Sequence, residues 1–152
     1  MQAAVYRTNI GIIRLLLDKG ADVNLQGGKY GNALQTAVYR SNTEVIGLLL
    51  DKGANVNLQG GKYGNALQTA VYRFNTEVIR LLLDKGADVN MQGGMYGNAL
   101  QAAAIGANVE VVRLLEPIFT LVVGNMEQHC RRCSHQSMVT LGECGTQPLC
   151  FL

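Results

Sequence analysis

The sequence YGNALQTAVYRSNTEVIGLLLDKGANVNLQGGK, residues 30–62, decides the fold, because a near copy of it follows at once. Residues 63–95 read YGNALQTAVYRFNTEVIRLLLDKGADVNMQGGM and differ from it at only five positions. Residues 96–117 begin a further copy, and residues 1–29 form a copy that is entered late, at its glutamine. A fixed period of 33 residues predicts stacked units that bury their apolar faces against one another.

Within one unit, capping residues and apolar spacing predict two short helices and a hairpin. Asn32 and Gln35 make a variant of the capping box at the start of the first helix. Asn42 caps a second, almost continuously apolar helix, which Gly53 ends in the left-handed C′ position. The glycines of Gln59–Lys62 predict a turn at the tip of a projecting hairpin.

The segment EVIxLLLDKGAxVN occurs at residues 44–57 and 77–90, one period of 33 residues apart. This motif and this period resemble those of the ankyrin repeat family. The resemblance covers about residues 2–117, and the variant GGxYGNALQ is similar to the ankyrin arrays of filamentous fungi. It implies an α-solenoid of about four helix–turn–helix–hairpin units with incomplete ends. The family's T-P-L-H is replaced by Asn-Ala-Leu-Gln, as at 32–35, and we expect glutamine to make the hydrogen bonds of histidine.

A second departure from the family concerns the residue between the two helices. The family has glycine there, whereas this chain has Thr8, Ser41, Phe74 and Ala107. If the position requires a positive φ, the bulky Phe74 is strained.

Composition divides the chain into two parts. All cysteine, histidine and proline residues lie at or after residue 117. We therefore expect an array in residues 1–117 and a divergent, poorly ordered tail in residues 118–152. The units of the array are 1–29, 30–62, 63–95 and 96–117. The first unit lacks its own hairpin and N-cap, so we also expect a fragment of a larger protein that self-associates through uncapped ends.

The resemblance implies a non-catalytic, intracellular scaffold for protein partners. A net charge of +2 argues against nucleic acid and anionic membranes as partners. The repeats contain no histidine, no cysteine and no phosphate-binding loop, so we expect no enzyme and no cofactor.

The resemblance further implies that partners contact the hairpin tips and the exposed side of the first helix. The matching residues are Tyr6, Arg7, Gln26, Lys29, Tyr39, Arg40, Gln59, Lys62, Tyr72, Arg73, Gln92 and Met95. Repeated Tyr-Arg pairs predict a ladder that favours acidic partners. The alternative is that the ladder only reflects recent copying, with Arg40 and Arg73 paired to acidic side chains of neighbouring units.

The tail offers a different kind of function. Cys130-x2-Cys133, His135 and Cys144 have ligand types that suit Zn²⁺, or they form a redox pair. A small zinc-binding or redox module is therefore the alternative to the scaffold. The third interpretation is that these residues are incidental to an unstructured tail.

Overall fold

The computed structural model describes residues 1–116, and its architecture follows the 33-residue period. Each unit contributes two consecutive helices. The helices are α1 (Gln2–Tyr6), α2 (Ile10–Asp18), α3 (Ala33–Tyr39), α4 (Thr43–Asp51), α5 (Ala66–Tyr72), α6 (Thr76–Asp84), α7 (Ala99–Ile105) and α8 (109–116, to the last described residue). The predicted α-solenoid of helix–turn–helix units is confirmed.

Asparagine caps start the helices where the sequence predicted them. The Asn32 side chain accepts a hydrogen bond from the Gln35 backbone N–H at 2.8 Å, and Asn42 caps α4 through the Val45 N–H at 3.0 Å. The full reciprocal capping box is present at Asn65 and Asn98. These caps satisfy backbone donors that a helix of only two turns would otherwise leave unpaired.

The turn between the paired helices adopts a positive φ in every unit. Ser41 and Phe74 both have φ of 54°, and Thr8 and Ala107 have 55° and 50°. The expectation that Phe74 is strained is therefore correct, because side chains with a Cβ rarely adopt this region. Gly53 also has a positive φ, 86°, in the predicted position after α4.

The core runs along the stack. The first helices pack on one another, α1 on α3, α3 on α5 and α5 on α7. Within a unit, the first helix packs on the second, as α1 does on α2, α3 on α4 and α5 on α6. Val45, Val78 and Val111 occupy one position of the repeat and are fully buried. Ile12 occupies the same position in the first unit but is 48% exposed, and Leu15 is 58% exposed. The apolar face of the first unit is thus open.

Glutamine makes hydrogen bonds in place of histidine, and some of these bonds link one unit to the next. The Gln35 amide Nε2 donates to the carbonyl oxygens of Leu58 at 3.1 Å and Gly64 at 3.0 Å. Gln68 repeats the arrangement one unit further along, with the carbonyls of Met91 and Gly97. Since Gln35 and Gln68 are buried, these hydrogen bonds satisfy groups that water cannot reach.

The projecting hairpins are tighter than a regular β-hairpin. Each holds a single antiparallel bridge, such as Gly60 with Gly64, and no longer ladder is formed in residues 1–116. Among the described helices, none has both the length and the apolar character needed to cross a membrane.

Candidate functional site

Adjacent hairpin tips are joined by their backbones. The Lys62 N–H donates to the Lys29 carbonyl at 3.0 Å, and the Met95 N–H donates to the Lys62 carbonyl at 3.1 Å. A Cβ at Gly61 would lie 2.3 Å from the Tyr30 carbonyl carbon, so only glycine permits this approach. The double glycine therefore serves the contact between tips as well as the turn. Lys29, Lys62 and Met95 occupy the same position on successive hairpin tips.

The two tyrosine series form one continuous column. Tyr39, from the end of α3, lies between Tyr30 and Tyr63 of two hairpins, with ring centroids 4.4 and 5.9 Å away. The full order is Tyr6, Tyr30, Tyr39, Tyr63, Tyr72 and Tyr96, with successive centroids between 4.4 and 6.0 Å apart. The hairpin tyrosines thus pack on the tyrosines at the ends of the first helices.

Burial inside the column changes the acidity of the tyrosines. Tyr63 is only 4% exposed, and this burial, together with the charge and hydrogen bond of Tyr72, raises its pKa from 10.0 to about 12. Burial and contact with Tyr39 raise the pKa of Tyr30 in the same way. Tyr30 and Tyr63 therefore keep their phenol protons to a higher pH than a tyrosine in water would.

Cationic side chains lie over these rings. The Arg40 guanidinium lies 5.0 Å from the Tyr6 ring centroid, and the Lys29 ammonium lies 5.7 Å from the Tyr30 centroid. Arg73 on Tyr39 and Lys62 on Tyr63 repeat these contacts at 5.0 and 5.6 Å. Of the two interpretations of the ladder, pairing of Arg40 and Arg73 with acidic neighbours is wrong for the residues described, since each arginine stacks on the tyrosine of the preceding unit.

The fold keeps acidic side chains away from one surface of the array. The first helices, their C-caps and the hairpins carry five basic residues and no acidic residue in residues 1–116. They are Arg7, Lys29, Arg40, Lys62 and Arg73. The second helices and the loops after them carry every acidic side chain of this region, and both ion pairs identified there, Arg14–Glu44 and Lys52–Asp18, join second-helix residues of neighbouring units.

We call the five cations and the six stacked tyrosines the basic face. It contains most of the candidate binding residues, but not in equal roles. Gln59 is used structurally, because its Nε2 donates to the Gln92 carbonyl at 2.9 Å. Gln26 is exposed and lies beside Gly60 of the next tip. Within α3 the residues before Tyr39 are buried, so the exposed part of this first helix is its C-terminal end.

Sequence reasoning did not single out the apolar end of this surface. Phe74, Met95 and Ile105 are 48%, 52% and 67% exposed. Ile105 and Gly106 stand where earlier units have Tyr-Arg, and the Phe74 ring packs against Gly106. Comparing the copies position by position would have shown the change, because all three residues depart from their counterparts.

The zinc and redox candidates Cys130, Cys133, His135 and Cys144 lie outside the described residues. Within residues 1–116, no three His, Cys, Asp or Glu side chains come close enough to hold a metal ion. The candidate site of the described region is therefore a surface made of arginine, lysine and tyrosine.

The family model for ankyrin repeats matches residues 1–93 in three copies. No curated protein matches the chain.

Proposed function

The chain belongs to the ankyrin repeat family, and from this membership we propose that it is a non-catalytic scaffold that binds a protein partner through the basic face. Ankyrin repeats are generally protein–protein interaction modules. An intracellular location and a fungal origin stay predictions.

The observation that carries the proposal is a surface with basic side chains and no acidic ones. Arg7, Lys29, Arg40, Lys62 and Arg73 share one surface without any acidic residue of the described region among them. A surface with one sign of charge attracts a complementary partner and steers its approach. The arrangement is therefore suited to binding a partner of opposite charge.

The tyrosine column prepares the surface for binding. Stacking on Tyr39 restricts the rotamers of Arg73, and Tyr6 does the same for Arg40. The guanidinium plane is used by the ring, but its N–H edges remain able to donate hydrogen bonds to a ligand. Less side-chain entropy is then lost when a partner binds.

Two variants with the same change in charge test the proposal. The row variant carries Arg40→Gln, Lys62→Gln and Arg73→Gln on the basic face. The back variant carries Lys19→Gln, Arg80→Gln and Lys85→Gln, all exposed residues on or after second helices. Tyrosines are left intact because they belong to the column.

The full chain and both variants are used to capture partners from cells, with quantitative mass spectrometry as the measurement. We expect partners recovered by the wild type and the back variant to be lost by the row variant. Equal recovery by all three chains would contradict binding through the basic face.

A further inference from the structure

The cations of the basic face end at the third unit. Lys29 and Lys62 are followed at the next tip by Met95, and Arg40 and Arg73 are followed by Gly106. A Cβ at Gly106 would lie 2.4 Å from a ring carbon of Phe74, so the aromatic ring fills the space that another arginine would need. The surface therefore changes from basic to apolar along the stack.

The apolar end is exposed and formed by large side chains. Ile105, Met95 and Phe74 each expose about half or more of their surface. Met95 lies at a hairpin tip, Ile105 at the end of a first helix and Phe74 in a turn between two helices, and the same positions of earlier units lie in or beside the basic face. One partner lying along the stack would meet cations first and then apolar side chains.

We propose that the basic face binds an extended acidic segment of the partner protein that carries a large apolar side chain at one end. This inference rests on the proposed function and names the chemistry of its partner. Carboxylates of the segment bind the stacked guanidinium groups, and the apolar side chain packs against Ile105 and Met95. Charge complementarity decides the first part and the exposed side chains decide the second.

The spacing of the units sets the spacing of the partner's charges. Helices that pack side by side lie about 8–10 Å apart, and an extended chain rises about 3.3 Å per residue. A carboxylate at about every third residue therefore matches successive arginines, with the apolar residue one further step along. Nucleic acid fits less well, because it offers no aliphatic side chain to pack against Ile105 and Met95.

Synthetic peptides and the full chain test this inference directly. The acidic probe has glutamate at every third position of a Gly/Ser chain and leucine one step beyond the last glutamate. Two matched peptides replace every glutamate by glutamine, or the leucine by serine. We expect the glutamine peptide to bind at least tenfold more weakly and the serine peptide about tenfold more weakly, by fluorescence anisotropy. Binding of the acidic probe weakens as salt rises.

Protein variants locate the probe on the surface. The row variant should lose at least tenfold in affinity for the acidic probe, whereas the back variant should bind it like the wild type. Met95→Lys restores the lysine of earlier tips, so it should strengthen binding of the serine peptide and weaken binding of the leucine peptide.

Three results would overturn the inference. They are equal affinity for the glutamate and glutamine peptides, equal loss by the row and back variants, and tighter binding of a single-stranded oligonucleotide of equal charge. If the peptides fail while the row variant still loses its cellular partners, the scaffold proposal stands and only the acidic segment is wrong. If the row variant also keeps its partners, both proposals are wrong.

Discussion

The Arg73 guanidinium lies 5.0 Å from the ring centroid of Tyr39, which is one repeat earlier in the chain. This contact joins two units without an ion pair, and Arg40 makes the same contact with Tyr6. A cation over an exposed aromatic ring contributes about 0.5–1 kcal/mol. The ladder is thus part of the stack as well as a surface for a partner.

Replacing Arg73 should therefore cost stability even without a partner. We expect Arg73→Gln to lower the free energy of unfolding by about 0.5–1 kcal/mol, measured by urea denaturation. Arg80→Gln removes the same charge from the exposed side of α6 and should change it by less than about 0.5 kcal/mol. Equal effects of the two substitutions would show that the ring contact contributes nothing.

Gln68 should be more important to the stack than its counterpart Gln101. The Gln68 Nε2 donates to the Met91 carbonyl of its own unit at 3.0 Å and to the Gly97 carbonyl of the next unit at 2.7 Å, besides completing its capping box. Gln101 also completes a capping box but is exposed. We expect Gln68→Leu to destabilise the chain by about 2 kcal/mol, because the Met91 carbonyl loses its side-chain donor and the Gly97 carbonyl keeps only the Gly93 N–H.

The matched control is Gln101→Leu, which should cost about 1 kcal/mol through the cap alone. Thermal denaturation of both variants and of Gln68→His measures the difference. Imidazole keeps one ring N–H donor, so Gln68→His should recover part of the loss. A Gln68→Leu variant as stable as Gln101→Leu would contradict the role of the bridge between units.

The fold could be predicted from the sequence because the same unit of 33 residues recurs along the chain. Two nearly identical units predict the same caps, turns and buried positions, and Asn32, Asn42 and Gly53 all behave as expected. The Gln35 side chain also donates hydrogen bonds, as expected for a substitute for histidine. The period predicts what is equivalent in each unit, and equivalent positions are buried alike in the interior of the stack.

The site was only partly predictable, since its properties arise between units. Tyr6 and Tyr30 are separate series in the sequence, and only the three-dimensional stack places them in one column. The surface without acidic residues was hidden for the same reason: basic and acidic residues are mixed along the chain, yet all acidic side chains of residues 1–116 lie on the second helices and the loops after them. The apolar end at Ile105 was not predicted, because the repeat pattern indicates the equivalent residue, Tyr72, at this position.

The helix–helix turn stores strain that a single substitution should relieve. Ser41 has φ of 54°, is exposed and stands where glycine would be unstrained. We expect Ser41→Gly to raise the free energy of unfolding by about 0.5–1 kcal/mol, as the left-handed conformation costs residues with a Cβ about 1–2 kcal/mol. Ser41→Ala keeps the Cβ and should give no gain. Urea denaturation distinguishes them, and equal stability of the two variants would contradict the strain.

Tyr63 should make stability fall at alkaline pH. Burial raises the pKa of Tyr63 from 10.0 to about 12 in the folded chain. Between these values the unfolded chain loses the phenol proton while the folded chain keeps it, so unfolding becomes easier as pH rises. The contribution is complete below about pH 10 and lost by about pH 12. Tyr63→Phe should show a shallower decline in urea midpoint over this range, and an unchanged slope would contradict the assignment.

The open face of the first unit should cause self-association. Ile12 and Leu15 expose about half of their surface, whereas Val45 and Val78, which share the repeat position of Ile12, are fully buried. Burying such a face against a second copy removes apolar surface from water, at about 25 cal/mol per Å². We expect a weight-average mass that rises with concentration in sedimentation experiments, and a mass that stays monomeric in the double variant Ile12→Gln, Leu15→Gln.

A substitution at the other end of the described array provides the control for this last prediction. Val109 is also exposed and apolar, and the corresponding position carries threonine at residues 43 and 76. Val109→Thr should leave the association unchanged, because it does not alter the face formed by Ile12 and Leu15. If Val109→Thr abolishes association while the double variant retains it, the contact lies at the opposite end of the array. A wild-type chain that stays monomeric at every concentration would contradict association altogether.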